Sequence, residues 1–174
     1  MVKYFLIFLT LAGFVNLHGQ NLNIGIKIQK THSMYWENGI SARYSFSNFK
    51  SDQFYLGFDY ISSRFGSAFN SNALKQDSYV ASAAWHFAKE KPLRFVTKLN
   101  FGYFYADLEE DIFKELPNTA ILLSPEFGLS YDFKNIPIIL YLGTAYNINV
   151  VDEGKSPGTL QPLFYNFAIY YQLF

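Results

Sequence analysis

The chain has 174 residues, with Lys plus Arg and Asp plus Glu balanced at 14 each, no cysteine, and aromatic residues at 20% of the whole. Charge balance leaves no basic field for nucleic acid, and the missing cysteines exclude disulfides and a cysteine-anchored lipoprotein. About 155 residues remain after the leader described next, enough for one domain and too few for two.

Lys3, an apolar run from Tyr4 to Val15 and the small residue Gly19 form the pattern of a secretory signal peptide over 1–19. Cleavage is expected after Gly19, giving a mature domain of 20–174. The apolar run is shorter than the roughly 20 residues that a spanning helix needs.

Period-two alternation then begins almost at once. Leu22, Ile24, Ile26 and Ile28 share one face of the first strand, with Asn23, Gly25, Lys27 and Gln29 on the other. A polar loop is expected over Lys30 to Gly39. The second strand sets Ile40, Ala42, Tyr44 and Phe46 against Ser41, Arg43 and Ser45. A short turn leads to the third, where Phe54, Leu56, Phe58 and Tyr60 oppose Tyr55, Gly57 and Asp59. Ser62 to Gln76, rich in Ser, Asn, Gly and Ala, reads as a long loop. In the fourth strand Tyr79, Ala81, Ala83, Trp85 and Phe87 face outward, and Val80, Ser82, Ala84 and His86 inward.

After a tight turn over Ala88 to Pro92, the fifth strand is the clearest amphipathic segment. Phe95, Thr97, Leu99, Phe101, Tyr103 and Tyr105 oppose Arg94, Lys98, Asn100 and Gly102. An acidic loop follows, and then a hairpin, Ile121 to Ile148, turning at Lys134-Asn135-Ile136-Pro137. Its strands are about ten residues long, right for crossing a bilayer at a tilt. Val151 to Pro162 carries the turn signals Asp152-Glu153-Gly154 and Ser156-Pro157-Gly158. The eighth strand runs from Leu163 to Phe174.

These segments predict an all-β chain, an eight-stranded antiparallel up-and-down transmembrane β-barrel. Its connections alternate long and short, the habit of outer-membrane barrels with short periplasmic turns and longer external loops. Phe58, Trp85, Leu99, Phe101, Leu129 and Leu142 are expected to face lipid. Over the mature chain the pattern resembles the small outer-membrane barrels of the OmpA and OmpX type in Gram-negative envelopes, with no diagnostic motif. The resemblance implies an outer-membrane monomer with both termini periplasmic, and lipid and lipopolysaccharide as its surroundings. It further implies recognition of the last strand by the barrel-assembly machinery through a terminal aromatic. Phe174 fits that habit, while Gln172 departs from the apolar parity of Phe167, Ile169, Tyr171 and Leu173.

Inward charges form the first candidate site: Lys27, Arg43, Arg94 and Lys98 with Asp59, Glu126 and Asp132, joined by His86. Counting from the turns places Arg43 diagonal to Asp59, and Lys98 beside Glu126 on the neighbouring strand. His86 faces Arg94, with Asp132 at the same end. Opposite charges so arranged would fill a lumen just wide enough for side chains; the other reading is an ion or proton path through a narrow pore. The second candidate is the acidic loop with Asp107, Glu109, Glu110, Asp111 and Glu115 around Ile112 and Phe113. Its carboxylates could share a divalent cation with lipopolysaccharide phosphates, but a solvated face without a metal site is favoured. The apolar pair could meet a partner or cover the barrel mouth.

No nucleotide loop, metal-spaced cluster or nucleophile elbow is present, and no cofactor is expected. Some lipid A-modifying enzymes are barrels of this size. A deacylase-like His-x-Ser pair is missing, because His32 and Ser33 are adjacent. His32 with Asp77 and Ser78 resembles the residues of the lipid A palmitoyltransferase family, in which the His would act as base. Against that, the family's amphipathic helix before the first strand has no counterpart here, and Asp77 and Ser78 open the fourth strand. A non-enzymatic barrel whose four external loops meet a partner is the preferred reading.

Overall fold

The computed structural model describes residues 21–31, 36–46, 51–67, 74–108, 119–150 and 162–173. Its strands are β1 (Asn21–Thr31), β2 (Trp36–Phe46), β3 (Gln53–Ser67), β4 (Leu74–His86), β5 (Leu93–Leu108), β6 (Thr119–Asp132), β7 (Ile138–Tyr146, continued by Ile148–Val150) and β8 (Leu163–Gln172). Each pairs antiparallel with its neighbour in sequence, and β1 closes on β8 from Asn23 opposite Gln172 to Thr31 opposite Phe164. The result is a closed up-and-down barrel of eight strands. Closure satisfies every strand edge, which is what lets a sheet cross hydrocarbon. The signal segment and Phe174 lie outside the described residues.

Alternation decides the two faces. Ile26, Ile40, Leu56, Leu99, Phe101 and Leu142 lie exposed on the outer wall, while Asn23, Lys27, Asp59, Asn100 and Glu126 are buried inside. Trp85 is half-buried at the turn end. Large aliphatics and Phe hold the middle of the outer wall, and Tyr gathers near its ends. Tyr60, Tyr79 and Tyr103 form one row across three strands toward the loop end, the placing of an aromatic girdle.

Strand ends differ from expectation at the loop side. Lys30, Thr31 and Trp36 to Gly39 belong to β1 and β2, and Ser62 to Ser67 and Leu74 to Gln76 belong to β3 and β4. The apolar/polar alternation fades in these segments, but the backbone ladder continues through them. The ladder is irregular there, with a register shift between Trp36 and Asn38 opposite β3.

Pro125 explains why β7 has two pieces. Glu126 pairs with Ala145 and Leu123 with Ile148, one continuous register interrupted between them. Proline offers no N–H to the ladder, while on its other edge the strand continues in register, the Asn147 amide donating to the Pro162 carbonyl at 2.8 Å.

At the opposite end two short turns are tied together by Asp52. Its Oδ1 accepts the Ala88 amide and its Oδ2 accepts the Trp85 indole N–H, each at 3.0 Å. Ala88 is held at φ 56°, left-handed for a residue with a side chain. The Ala88 amide, followed by the Trp85 indole, holds the Asp52 carboxyl below its ordinary 3.8. A depressed carboxyl contributes stability above that value and loses it as pH falls through the folded one. Unfolding midpoints of the wild type should therefore drop on acidification below about pH 4, and less so for Asp52→Asn. Parallel pH profiles of the two proteins would contradict the tie.

Candidate functional site

The lumen is built from the inward face of all eight strands, in layers. Tyr55, Ala84, Val96, Ile139, Tyr141, Ala168 and Tyr170 form a plug on the turn side. Phe104, Ala106, Ala120 and Leu122 form a smaller apolar cluster on the loop side. Between them lies an ionic layer.

Asp59 is its centre. Oδ2 accepts Lys27 Nζ at 3.0 Å and Lys98 Nζ at 3.2 Å, and Oδ1 accepts the Ser41 hydroxyl. Lys98 also stands 3.8 Å from Glu126. Glu126, fully enclosed, accepts from Asn100 Nδ2, Tyr141 Oη and Asn166 Nδ2, all at 2.8 Å. Each carboxylate is thus both paired and hydrogen-bonded, the condition for keeping a charge inside a protein.

Tyr141 reaches Glu126 by lying over Gly143, where an added methyl would overlap its hydroxyl oxygen. Gly143→Ala should therefore destabilise the barrel by about 1 to 3 kcal/mol, through overpacking against a side chain that cannot swing away without releasing Glu126. Denaturant titration checks this; an unchanged midpoint would show that the ring has room to shift.

The remaining inward charges are divided. Arg94 joins Asp132 at 2.9 Å, Gln53 at 3.0 Å and the Lys91 carbonyl at 3.0 Å, closing the turn-side mouth. His86 packs on Tyr55 with ring centroids 4.5 Å apart and has Ser130 Oγ 3.4 Å from Nδ1. Arg43 is diagonal to Asp59 in register but forms no ion pair with it; its guanidinium lies over the rings of Tyr170 and Tyr55, 3.8 and 4.6 Å from their centroids. Asp59 is engaged by two lysines, leaving the Arg to the aromatic faces.

Neutral partners were the part that charge counting missed. Ser41, Asn100, Tyr141, Asn166 and Tyr170 all sit on the inward parity, which was the available signal. Glu37 was read as loop, yet it is buried on the inward face and accepts Gln29 Nε2 at 3.0 Å.

Asp77 and Ser78 do not converge. Asp77 accepts from Tyr60 Oη at 3.0 Å and from the Ser62 hydroxyl, whereas Ser78 is buried in the lumen beside Gln76 Nε2 at 3.2 Å. Adjacent strand residues point to opposite faces. His32 lies outside the described residues, as do Glu109, Glu110, Asp111, Ile112, Phe113 and Glu115; Asp107 belongs to β5 opposite Lys75. An apolar groove of about 700 Å³ lies on the outer wall near Ile24, Ile40, Ala42 and Phe58. Among the described residues, small cavities of about 20 Å³ lie in the lumen on each side of the ionic layer.

No family model and no curated protein matches the chain. Solved structures do. The N-terminal β-barrel domain of Pseudomonas aeruginosa OprF matches with TM-score 0.59 at 11% identity, over 88% of this chain and 97% of that one. Ail, the attachment invasion locus protein of Yersinia pestis, matches with TM-score 0.56 at 11% identity over 88% and 97%. Neisserial surface protein A matches with TM-score 0.50 at 19% identity over 88% and 96%. Such identities speak for architecture alone, and by that architecture the chain has the fold of the small eight-stranded outer-membrane β-barrels.

Proposed function

We propose that the protein is a non-enzymatic integral outer-membrane barrel, exported by its leader and maturing at Gln20, whose loop-side connections meet a surface partner. The observation that carries this is the combination of an apolar outer wall with a lumen filled by its own side chains. The first feature suits lipid contact, and the second gives solutes no route, so the residues free to recognise anything are those at the loop-side rim and beyond it.

In this reading both termini are periplasmic, the barrel is monomeric, and lipopolysaccharide surrounds the loops. Assembly proceeds through the C-terminal strand. The acidic stretch with Ile112 and Phe113 is the part most suited to a partner carrying cations beside an apolar patch. Ail has been solved with the heparin analogue sucrose octasulfate; the acidic sign of residues 109–111 here disfavours a polyanion of that kind.

An epitope placed within 109–118 or 151–161 should be reached by antibody on intact cells, and one at Asn135 only after permeabilisation. The reverse pattern, or recovery of the chain as a soluble periplasmic protein, would overturn the assignment. The enzymatic alternative predicts altered lipid A acylation when the chain is deleted; the proposal predicts an unchanged lipid A mass spectrum.

A further inference from the structure

The turn-side cavity is the place where the lumen's charge arithmetic does not close. Arg43 is 7% exposed, and its Nε and Nη2 are buried atoms that donate to no protein acceptor. These two nitrogens form the edge of a guanidinium that grips an anion side-on. Tyr170 and Tyr55 cover the faces of the group and leave that edge unanswered.

The surroundings have the matching sign. Arg43, Lys98, Ser82 and His86 line the cavity, and no carboxylate does. Within the ionic layer and this cavity, Lys27, Arg43 and Lys98 face Asp59 and Glu126, so three cations meet two anions. Asp132 is committed to Arg94 at the mouth. Glu37 sits on the same strand as Arg43, but six residues away, about 20 Å along it. An uncompensated buried guanidinium is costly, and a water molecule would satisfy its donors without neutralising it.

We propose that this cavity, bounded by Arg43, Lys98 and Ser82, binds one monovalent anion of chloride size as a structural ligand of the barrel. The volume of about 20 Å³ admits one small species. Phosphate, sulfate and organic carboxylates are too large for it. The excess of one cation sets the ligand's charge.

The test uses the full chain, folded into detergent micelles and crystallised with sodium bromide. An anomalous peak is expected in contact with Arg43 Nε and Nη2; an ordered peak there without anomalous signal identifies water and overturns the proposal. In parallel, urea unfolding is compared in chloride and in gluconate at equal ionic strength. The folded-to-unfolded ratio should rise about tenfold at free chloride ten times its Kd, and the rise should vanish in Arg43→Met. Equal stability in the two salts, or the same chloride response in the variant, refutes the site. If Arg43→Met does not assemble, Arg43→Gln serves the same comparison, and the bromide measurement on the wild type decides without any variant.

Discussion

Asp59→Ala is expected to be among the most damaging single truncations in the lumen, lowering the stability of the folded barrel by about 3 to 5 kcal/mol. The carboxylate joins Lys27 and Lys98, both buried, and the alanine would leave Lys27 without its ion pair while Lys98 keeps only the longer approach to Glu126. Glu126→Ala should also be severe, since three donors converge on that carboxylate. Paired replacement separates charge from hydrogen bonding. Glu126→Leu with Lys98→Met leaves the Lys27 to Asp59 pair whole but still strands the Tyr141 hydroxyl and one N–H each of Asn100 and Asn166, Asn100 keeping its bond to the Ser124 carbonyl, at about 1 to 3 kcal/mol for each donor left unsatisfied. Asp59→Leu with Lys27→Met should be milder than Asp59→Ala, because it removes the charge that the single change strands. Equilibrium urea titration followed through Trp85 gives these values, and a loss below about 1 kcal/mol for Asp59→Ala would remove the ionic layer from the account.

Leu142→Arg is the matching expectation for the outer wall. Leu142 is the middle residue of Ile138–Tyr146, flanked by Leu129 and Phe167 on the neighbouring strands. A guanidinium there would have to enter hydrocarbon, at about 2 to 4 kcal/mol near mid-depth. Leu99→Arg should behave alike. Tyr131→Arg, close to the turn-side rim, should cost about 0 to 1 kcal/mol, since the side chain reaches headgroups and water. Folding yields into liposomes measure all three. Wild-type assembly of Leu142→Arg, or a larger penalty at Tyr131, would place the hydrocarbon elsewhere on the barrel.

Much of this architecture was legible because a barrel wall imposes a period of two on nearly every strand. Lys27, Arg43, Asp59 and Glu126 could be assigned to the inside by counting from Ile26, Ala42, Phe58 and Phe127 alone. Strand ends at the loop side were not legible, because the apolar/polar alternation that marks a strand fades there while its hydrogen bonds persist. Ser62 and Ser63 read as loop for that reason, although both are buried.

Partners were harder still. Register arithmetic reaches only adjacent strands, as with Lys98 opposite Glu126. Asp59 on β3 instead draws Lys27 from β1 and Lys98 from β5, and Glu126 on β6 draws Asn166 from β8. Long side chains crossing a narrow lumen skip a strand, and only the closed cross-section tells which ones meet. Arg43 shows the consequence, being diagonal to Asp59 yet seated on Tyr170 and Tyr55.

Planar-bilayer recording of the purified wild-type chain tests the filled lumen most directly. The ionic layer with its apolar clusters on either side predicts a flat baseline, with no stepwise currents over a range of voltage and salt. Discrete, reproducible single-channel steps from the wild type would contradict it.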